Sequence, residues 1–172
     1  MNLKIIGIDP GLAATGIGVL TGSCNKVVTY AFGSITTPSN TDQGFRLEKI
    51  FSRLHTLIAE EKPDLLVIED IFSLEQYPKS GIALGKVCGV ILLAGQQTHV
   101  PVREIAVREA KQVLTGNGNA SKEQLEKAVR LSIRCPDPIR PYHASDALGL
   151  ALIGLFRYAE YQMDRCGRPR RR

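Results

Sequence analysis

Apolar positions along the first half of the chain fall into short runs and one amphipathic stretch. Three runs are separated by the turn-forming segments PGLAA and GSCN, which predicts a meander of strands. A following segment carries apolar side chains at helical spacing and stops at Lys62 and Pro63, which predicts a helix. The strands cover residues 3–9, 15–21 and 26–36, and the helix covers residues 42–61.

The second half of the chain alternates between helices and strands. A strand at residues 64–70 and a shorter one at residues 100–105 flank a predicted helix at residues 80–97. Three further helices are predicted at residues 107–114, 122–133 and 142–161. The order βββαβαβααα predicts an α/β fold with a five-stranded mixed sheet and helices on both faces, in one domain spanning residues 1–161.

The charge distribution limits the classes of partner that this domain is expected to bind. The formal net charge is +5, and the excess lies in the last eight residues, RCGRPRRR, which hold five arginines and no acid. Residues 79–140 are basic and the segments on either side are acidic. This pattern suits a carboxylate site beside a polyanion-binding surface, although solvated helix faces would give the same counts. We expect residues 162–172 to be a basic, disordered tail.

Signals for targeting and cross-linking are missing from the sequence. The N-terminal MNLKIIGIDPG lacks the pattern of a signal or transit peptide, and the longest apolar stretch, VCGVILLAGQQ, is too short to cross a bilayer. The four cysteines form no C-x-x-C pair, so neither a zinc site nor a disulfide framework is predicted. We therefore expect a cytoplasmic protein that makes no membrane contact.

Acidic residues end two of the predicted buried strands. Asp9 closes the first strand, where a carboxylate is costly unless it is paired, hydrogen-bonded or bound to a cation. Glu69 and Asp70 end the strand in LLVIED and point to opposite faces, so only one of them joins Asp9 if the strands are neighbours. His143 and Asp146 lie three residues apart and share one face of the last helix's first turn.

Carboxylates that converge from distant parts of the chain repel one another unless a cation lies between them. Oxygen ligands with one imidazole favour Mg²⁺, with Mn²⁺ as a substitute, over zinc. The predicted reaction is in-line hydrolysis of a phosphodiester with two metal ions per site, one activating water and one stabilising the leaving oxygen. A capping or surface role is the alternative for any one acid, such as Asp146 near a helix N-terminus.

With these residues in place, the chain resembles the RuvC family of Holliday junction resolvases across residues 4–157. The matching segments, in the family's order, are GIDPG followed by TG, VIEDIF, LGKVCGV, REAKQVLTGNGNASKEQ and HASDALGLA. The resemblance implies an RNase H-like fold, a homodimer, Mg²⁺ dependence, and paired symmetric nicks in a four-way DNA junction during recombination and repair. The nicks leave 5′-phosphate and 3′-hydroxyl ends, and the branch-migration proteins RuvA and RuvB are implied as partners.

The same resemblance assigns roles to individual acids. It implies that Asp9, Glu69 and Asp146 are the metal-binding carboxylates, which favours Glu69 over Asp70. His143 takes a fourth place, where members of the family carry either Asp or His.

Three further residues acquire DNA-binding roles from the resemblance. Phe72 is similar to the family's aromatic side chain that stacks on a junction base, with a core Phe as the alternative. Lys111 and Lys122 match basic residues that face phosphates. The segment SKEQ also indicates a capping box with Ser121 as N-cap, which puts Lys122 at the positive end of a helix. A cation there costs about 0.3–1 kcal/mol, and a bound phosphate would reverse that penalty.

A row of glycines marks one ridge of the predicted helix at residues 80–97. Gly81, Gly85 and Gly89 each cost about 0.5–1 kcal/mol of helix stability relative to Ala. We expect another helix to approach closely there, either within the core or from a dimer partner.

Three other functions fit part of the sequence. A sugar-kinase or actin-like ATPase also begins with a strand, an Asp and a Gly turn, but it needs a second, similar domain that 172 residues without a duplication lack. An RNA-acting nuclease of the same fold, similar to the YqgF family, is disfavoured only by the resemblance around Phe72 and Lys122. A non-catalytic nucleic-acid-binding protein has no need for all four candidate site residues.

Overall fold

Five strands and six helices make up the part of the chain that the computed structural model describes, which is residues 2–24, 26–70 and 78–165. The strands are β1 (Leu3–Asp9), β2 (Ala14–Ser23), β3 (Lys26–Thr36), β4 (Leu65–Glu69) and β5 (Val102–Ile105). The helices are α1 (Gln43–Glu61), α2 (Pro78–Gln97), α3 (Val107–Thr115), α4 (Lys122–Ser132), α5 (Tyr142–Phe156) and α6 (Tyr158–Arg165).

The strands form one mixed sheet in the order β3-β2-β1-β4-β5. The meander β1, β2 and β3 is antiparallel, whereas β4 runs parallel to both β1 and β5. The predicted α/β class and five-stranded mixed sheet are therefore confirmed. Because β1 and β4 are parallel neighbours, their carboxyl ends, Asp9 and Glu69, reach the same end of the sheet.

Two apolar layers hold helices against opposite faces of this sheet. Side chains alternate between the faces along each strand, and one set, which includes Ile6, Ile8 and Ile68, packs against α1 and α2. The other set, which includes Ile5 and Val67, packs against α3, α4 and α5. Burial on both faces explains why β1 and β4 are almost continuously apolar.

Glycines in the sheet let α5 lie directly on the backbone of β1 and β2. A Cβ atom at Gly7 would lie 1.9 Å from the carbonyl oxygen of Ala147. A Cβ atom at Gly16 would lie 2.0 Å from the carbonyl oxygen of His143. No side chain fits into these gaps without moving the helix, so the glycines fix the height of α5 above the sheet.

The C-terminal helical region departs from the prediction of one helix over residues 142–161. Helix α5 ends at Phe156, and a separate helix α6 begins at Tyr158. Between them Arg157 leaves helical geometry, with φ −104° and ψ 11°, and its guanidinium pairs with Glu109 on α3. This ion pair links residues far apart in sequence, so the local pattern gave no sign of the break.

Helix α2 leaves part of its glycine ridge uncovered. Among the described residues, a Cβ atom added at Gly85 or Gly89 would meet nothing within 4 Å, so no other helix of this chain approaches them closely. Ile82, Leu92 and Leu93 are 64%, 40% and 49% exposed on the same helix. Of the two predicted sources of close packing, the core of this chain is therefore excluded for Gly85 and Gly89.

Two other sequence expectations concern the ends and the surface of the domain. Residues 166–172, most of the predicted basic tail, lie outside the described residues, so that prediction stays open. Within the described ranges, none of the helices combines the length and the apolar character that a membrane span requires.

Candidate active site

Two carboxylates stand side by side where β1 and β4 end. Side-chain alternation puts Ile5 and Asp9 of β1 on the face that α5 covers, and Val67 and Glu69 of β4 on the same face. The pairing of β1 with β4 places these two strand ends next to each other. The strand pattern therefore brings Asp9 and Glu69 together.

The choice between Glu69 and Asp70 is settled by the same alternation. Glu69 is the last residue of β4 and lines the cavity beside Asp9. Asp70 follows the strand, its backbone N–H donates to the carbonyl oxygen of Ile105 at 2.9 Å, and it does not line that cavity.

Helix α5 brings the other two predicted residues to this point. His143 and Asp146 lie in its first turns, where the helix crosses Gly16, the β2 partner of Asp9. The Nδ1 atom of His143 lies 2.6 Å from the Oδ2 atom of Asp9, so the imidazole and the carboxylate are hydrogen-bonded. This contact joins residues from opposite ends of the chain.

A cavity of about 180 Å³ collects the predicted site residues. Six of the seven line it, and apolar side chains from α3, α4 and α5 form the rest of its wall. The six are Asp9, Glu69, Lys111, Lys122, His143 and Asp146, and the apolar residues are Val107, Ala110, Leu125 and Leu150. The seventh, Phe72, lies outside the described residues.

Burial keeps the carboxyl groups of this cavity away from water and raises their pKa values. Desolvation is the main cause of the rise of the Asp9 pKa to about 6, which a hydrogen bond from Glu69 partly offsets. Desolvation and then the charge of Asp9 raise the pKa of Glu69 to about 8. Desolvation also raises the pKa of Asp146. Negative charge on these carboxyl groups is therefore unfavourable in the metal-free site, and a bound cation would stabilise it.

Two lysines compensate part of that charge. Lys122 lowers the pKa values of all three carboxyl groups, and Lys111 lowers that of Asp146. The predicted capping box at the start of α4 is confirmed, because Ser121 accepts from the Gln124 N–H and the Gln124 side chain accepts from the Ser121 N–H. Lys122, the first residue of α4, thus faces the acids from a helix N-terminus.

The donor set of the cavity fits a divalent metal such as Mg²⁺. Three carboxylates and one imidazole line it, and the Oδ1 atom of Asp146 is buried without a hydrogen-bond partner among the described residues. Among the described residues, no three His, Cys, Asp or Glu side chains already lie close enough together to hold one metal ion. One carboxylate oxygen of Asp9, Oδ2, is hydrogen-bonded to His143.

The sequence analysis missed the residues that hold the turn after Asp9. The hydroxyl of Thr15 donates to the carbonyl oxygen of Gly11 at 2.8 Å, and the hydroxyl of Thr37 donates to that of Leu12. Arg46 on α1 then donates to the hydroxyl of Thr37 at 2.8 Å. The bond from Thr15 to Gly11 is local in sequence, whereas only the folded chain brings Thr37 near Leu12 and Arg46.

The raised pKa values predict how pH acts on the stability of the metal-free protein. A carboxyl group whose pKa is raised in the folded protein holds its proton more tightly there. Its contribution to stability is complete at pH values below its pKa in the unfolded chain. That contribution is lost as the pH rises through its pKa in the folded protein. For Glu69 this window runs from 4.5 to about 8. In chelator, the free energy of unfolding should fall across it by at most about 1.4 kcal/mol per pH unit per proton.

Thermal unfolding of the wild type and of Glu69→Gln, from pH 5 to pH 9, checks this expectation. The variant carries no titrating group at this position, so its stability should vary less with pH, and added Mg²⁺ should stabilise it less at pH 8. Superimposable pH profiles for the two proteins would contradict the assignment of Glu69 to a desolvated carboxylate cluster.

Comparisons with known proteins agree on one family. The family model described as crossover junction endodeoxyribonuclease RuvC matches residues 5–154. The chain is 37% identical over 155 residues to the curated protein of that name from Carboxydothermus hydrogenoformans. The aligned region covers 90% of this chain and 97% of the relative.

Solved structures give the same result. Thermus thermophilus RuvC in complex with Holliday junction substrate is 28% identical, with a TM-score of 0.82 over 93% of this chain and 96% of that one. The structure titled Thermus thermophilus RuvC structure is 25% identical, with a TM-score of 0.79 over 94% and 97% of the two chains.

Proposed function

This chain belongs to the RuvC family of crossover junction endodeoxyribonucleases, and from that membership we infer that it is an endonuclease that resolves four-way, or Holliday, DNA junctions in recombination and repair. Its fold is the RNase H-like fold predicted from the sequence. The observation that carries the function to this chain is the single cavity in which three carboxylates, one histidine and two lysines converge.

We propose that Asp9, Glu69, His143 and Asp146 form the catalytic site and bind the metal ions. The members of this family are metal-dependent nucleases, and the proposed ion is Mg²⁺, two per site, with Mn²⁺ as a substitute. When bound, the metal supplies positive charge for the reacting phosphate and lowers the pKa of water. Metal would compete with the protons that the raised pKa values of Asp9 and Glu69 retain, so metal affinity should rise with pH.

The proposed reaction is hydrolysis of one phosphodiester bond in each of two strands. A water oxygen forms a bond to phosphorus while the bond from phosphorus to the 3′ oxygen breaks, which leaves a 5′-phosphate and a 3′-hydroxyl. The hydrogen bond between Nδ1 of His143 and Asp9 holds the imidazole beside the reacting groups. There the imidazole binds metal or orients the water. The apolar wall of the cavity excludes bulk water and strengthens each electrostatic contact.

Lys111 and Lys122 are proposed to hold the phosphates next to the cut. Both line the cavity, and a phosphate at the N-terminus of α4 gains from the helix dipole as well as from the lysine. Phe72 remains the proposed stacking residue on the strength of the family resemblance alone.

We propose that the protein acts as a homodimer, since two sites are needed to cut two strands symmetrically. The uncovered ridge at Gly85 and Gly89 and the exposed side chains of Ile82, Leu92 and Leu93 support α2 as the contact between copies. RuvA and RuvB are proposed as partners, and the cytoplasm as the place of action.

A panel of nucleic acids tests this function directly. Purified protein is incubated with a four-way DNA junction, a linear DNA duplex of the same sequence, and an RNA–DNA hybrid, each with Mg²⁺ and with chelator. We expect paired nicks in the junction with Mg²⁺ only, and end-labelled products that ligate without further processing. Preferential cutting of the hybrid would instead indicate an RNA-acting nuclease of the same fold.

A further inference from the structure

A second cavity lies at the free edge of the sheet, away from the carboxylates. It measures about 350 Å³ and is lined by Ser34, Ile35 and Thr36 of β3 and by Lys49 and Arg53 of α1. No acid of the described residues lines it. Resting on the proposed function, we propose that this cavity, the β3-edge site, binds a backbone phosphate in one arm of the DNA junction, a few nucleotides from the cleaved bond.

The backbone of β3 offers hydrogen-bond donors to this site. In an antiparallel pair of strands, residues that bond to the neighbouring strand alternate with residues whose N–H and C=O groups point away from it. The N–H of Thr37 donates to the carbonyl oxygen of Ala13 at 3.0 Å, which fixes the alternation. Ser34 and Thr36 therefore direct their backbone groups outward, because β3 is the edge strand.

Two uncompensated cations face those donors. Lys49 and Arg53 are four residues apart on α1, so they project from one face of the helix, and both are exposed. Among the described residues neither has an ion-pair or hydrogen-bond partner. Several other cations of the domain are engaged, among them Lys4 with Glu61, Arg46 with Thr37, Arg130 with Glu126 and Arg157 with Glu109.

The register of the sheet places the β3-edge site at the level of the catalytic cavity. Asp9 pairs with Gly16, and Gly16 pairs with Ser34, so Ser34 lies two strand spacings, about 10 Å, from Asp9. One strand of DNA advances about 3.4 Å per phosphate along the helix axis, so this distance corresponds to about three nucleotides.

Salt-dependent binding tests the β3-edge site. Affinity for a four-way junction is measured in chelator over a range of salt concentrations for the wild type and for the double variant Lys49→Gln and Arg53→Gln. Each phosphate contact contributes about 0.9 to the slope of log K against log salt, so loss of this contact in one or both copies of the proposed homodimer should lower the slope by about 1 to 2. The single-charge control is Lys62→Asn at the C-cap of α1, which does not line the β3-edge site and whose φ of 47° is a conformation that Asn tolerates.

Replacing single phosphates by neutral methylphosphonates locates the contact. In the wild type, one or two positions within about five nucleotides of the cut should weaken binding, and in the double variant the same positions should have no further effect. An unchanged slope together with an identical methylphosphonate profile would overturn the β3-edge site. A wild type that neither binds nor cuts the junction in preference to a linear duplex would instead overturn the proposed function.

Discussion

Asp9→Asn is expected to lower the rate of junction cleavage by about a hundredfold or more, while binding to the junction persists or tightens. The amide keeps the shape of the side chain and can still hydrogen-bond with His143, but it removes a charge that we propose binds the metal. It also removes the charge that raises the pKa of Glu69, so Glu69 should ionise more readily in the variant and partly replace the lost negative charge. Single-turnover cleavage and metal-free binding assays measure the two effects separately.

Asp64→Asn is the matched control for this substitution. Asp64 lies at the opposite end of the sheet and accepts a hydrogen bond from the backbone N–H of Lys4 at 2.8 Å, which an amide oxygen also accepts. We expect its cleavage rate to stay close to that of the wild type. Normal cleavage by Asp9→Asn, under conditions where both proteins are folded, would remove Asp9 from the metal site.

Gly16→Ala is expected to destabilise the fold and to impair cleavage together. The new methyl carbon would lie 2.0 Å from the carbonyl oxygen of His143, and a backbone atom cannot turn aside as a flexible side chain can. Overpacking of this kind costs about 1–3 kcal/mol, and here the strain falls on the turn of α5 that carries His143. Thermal unfolding and cleavage rates at a temperature where the variant remains folded measure the two consequences.

Gly33→Ala provides the control, because its added methyl group would meet nothing within 4 Å. Gly33 lies in β3 of the same sheet, where glycine is unfavourable by about 0.5–1 kcal/mol relative to Ala, so this variant should be unchanged or slightly more stable. If Gly16→Ala matches Gly33→Ala in both stability and cleavage, close contact between β2 and α5 does not position the site.

Local patterns in the sequence were sufficient for most of the architecture. The alternation and the turn residues of the meander, the amphipathic spacing of α1 and the capping box at Ser121 depend on neighbours in sequence, and the structure confirms each of them. Acids at the ends of apolar strands pointed to Asp9 and to either Glu69 or Asp70, because parallel neighbouring strands bring such ends together, and only the family resemblance favoured Glu69.

The remaining features depend on residues that are distant in sequence. The break at Arg157 accompanies its ion pair with Glu109, which local helical spacing cannot show. In the sequence, Gly7 and Gly16 indicate only lower stability of β1 and β2. Their role, which is to let α5 lie close to the sheet, depends on the position of α5 in the folded chain.

Because Asp9 and His143 lie far apart in sequence, their contact also determines when, during synthesis, this nuclease can begin to cleave DNA. A ribosome adds about 5–20 residues per second, so Asp9 and Glu69 are synthesised several seconds before His143 and Asp146. Until α5 emerges, a nascent chain lacks two of the four proposed catalytic residues, and the face of β1 that the helix covers stays apolar and bare. We therefore expect a product truncated before α5 to be unable to cleave DNA and to expose the apolar surface that chaperones and proteases act on.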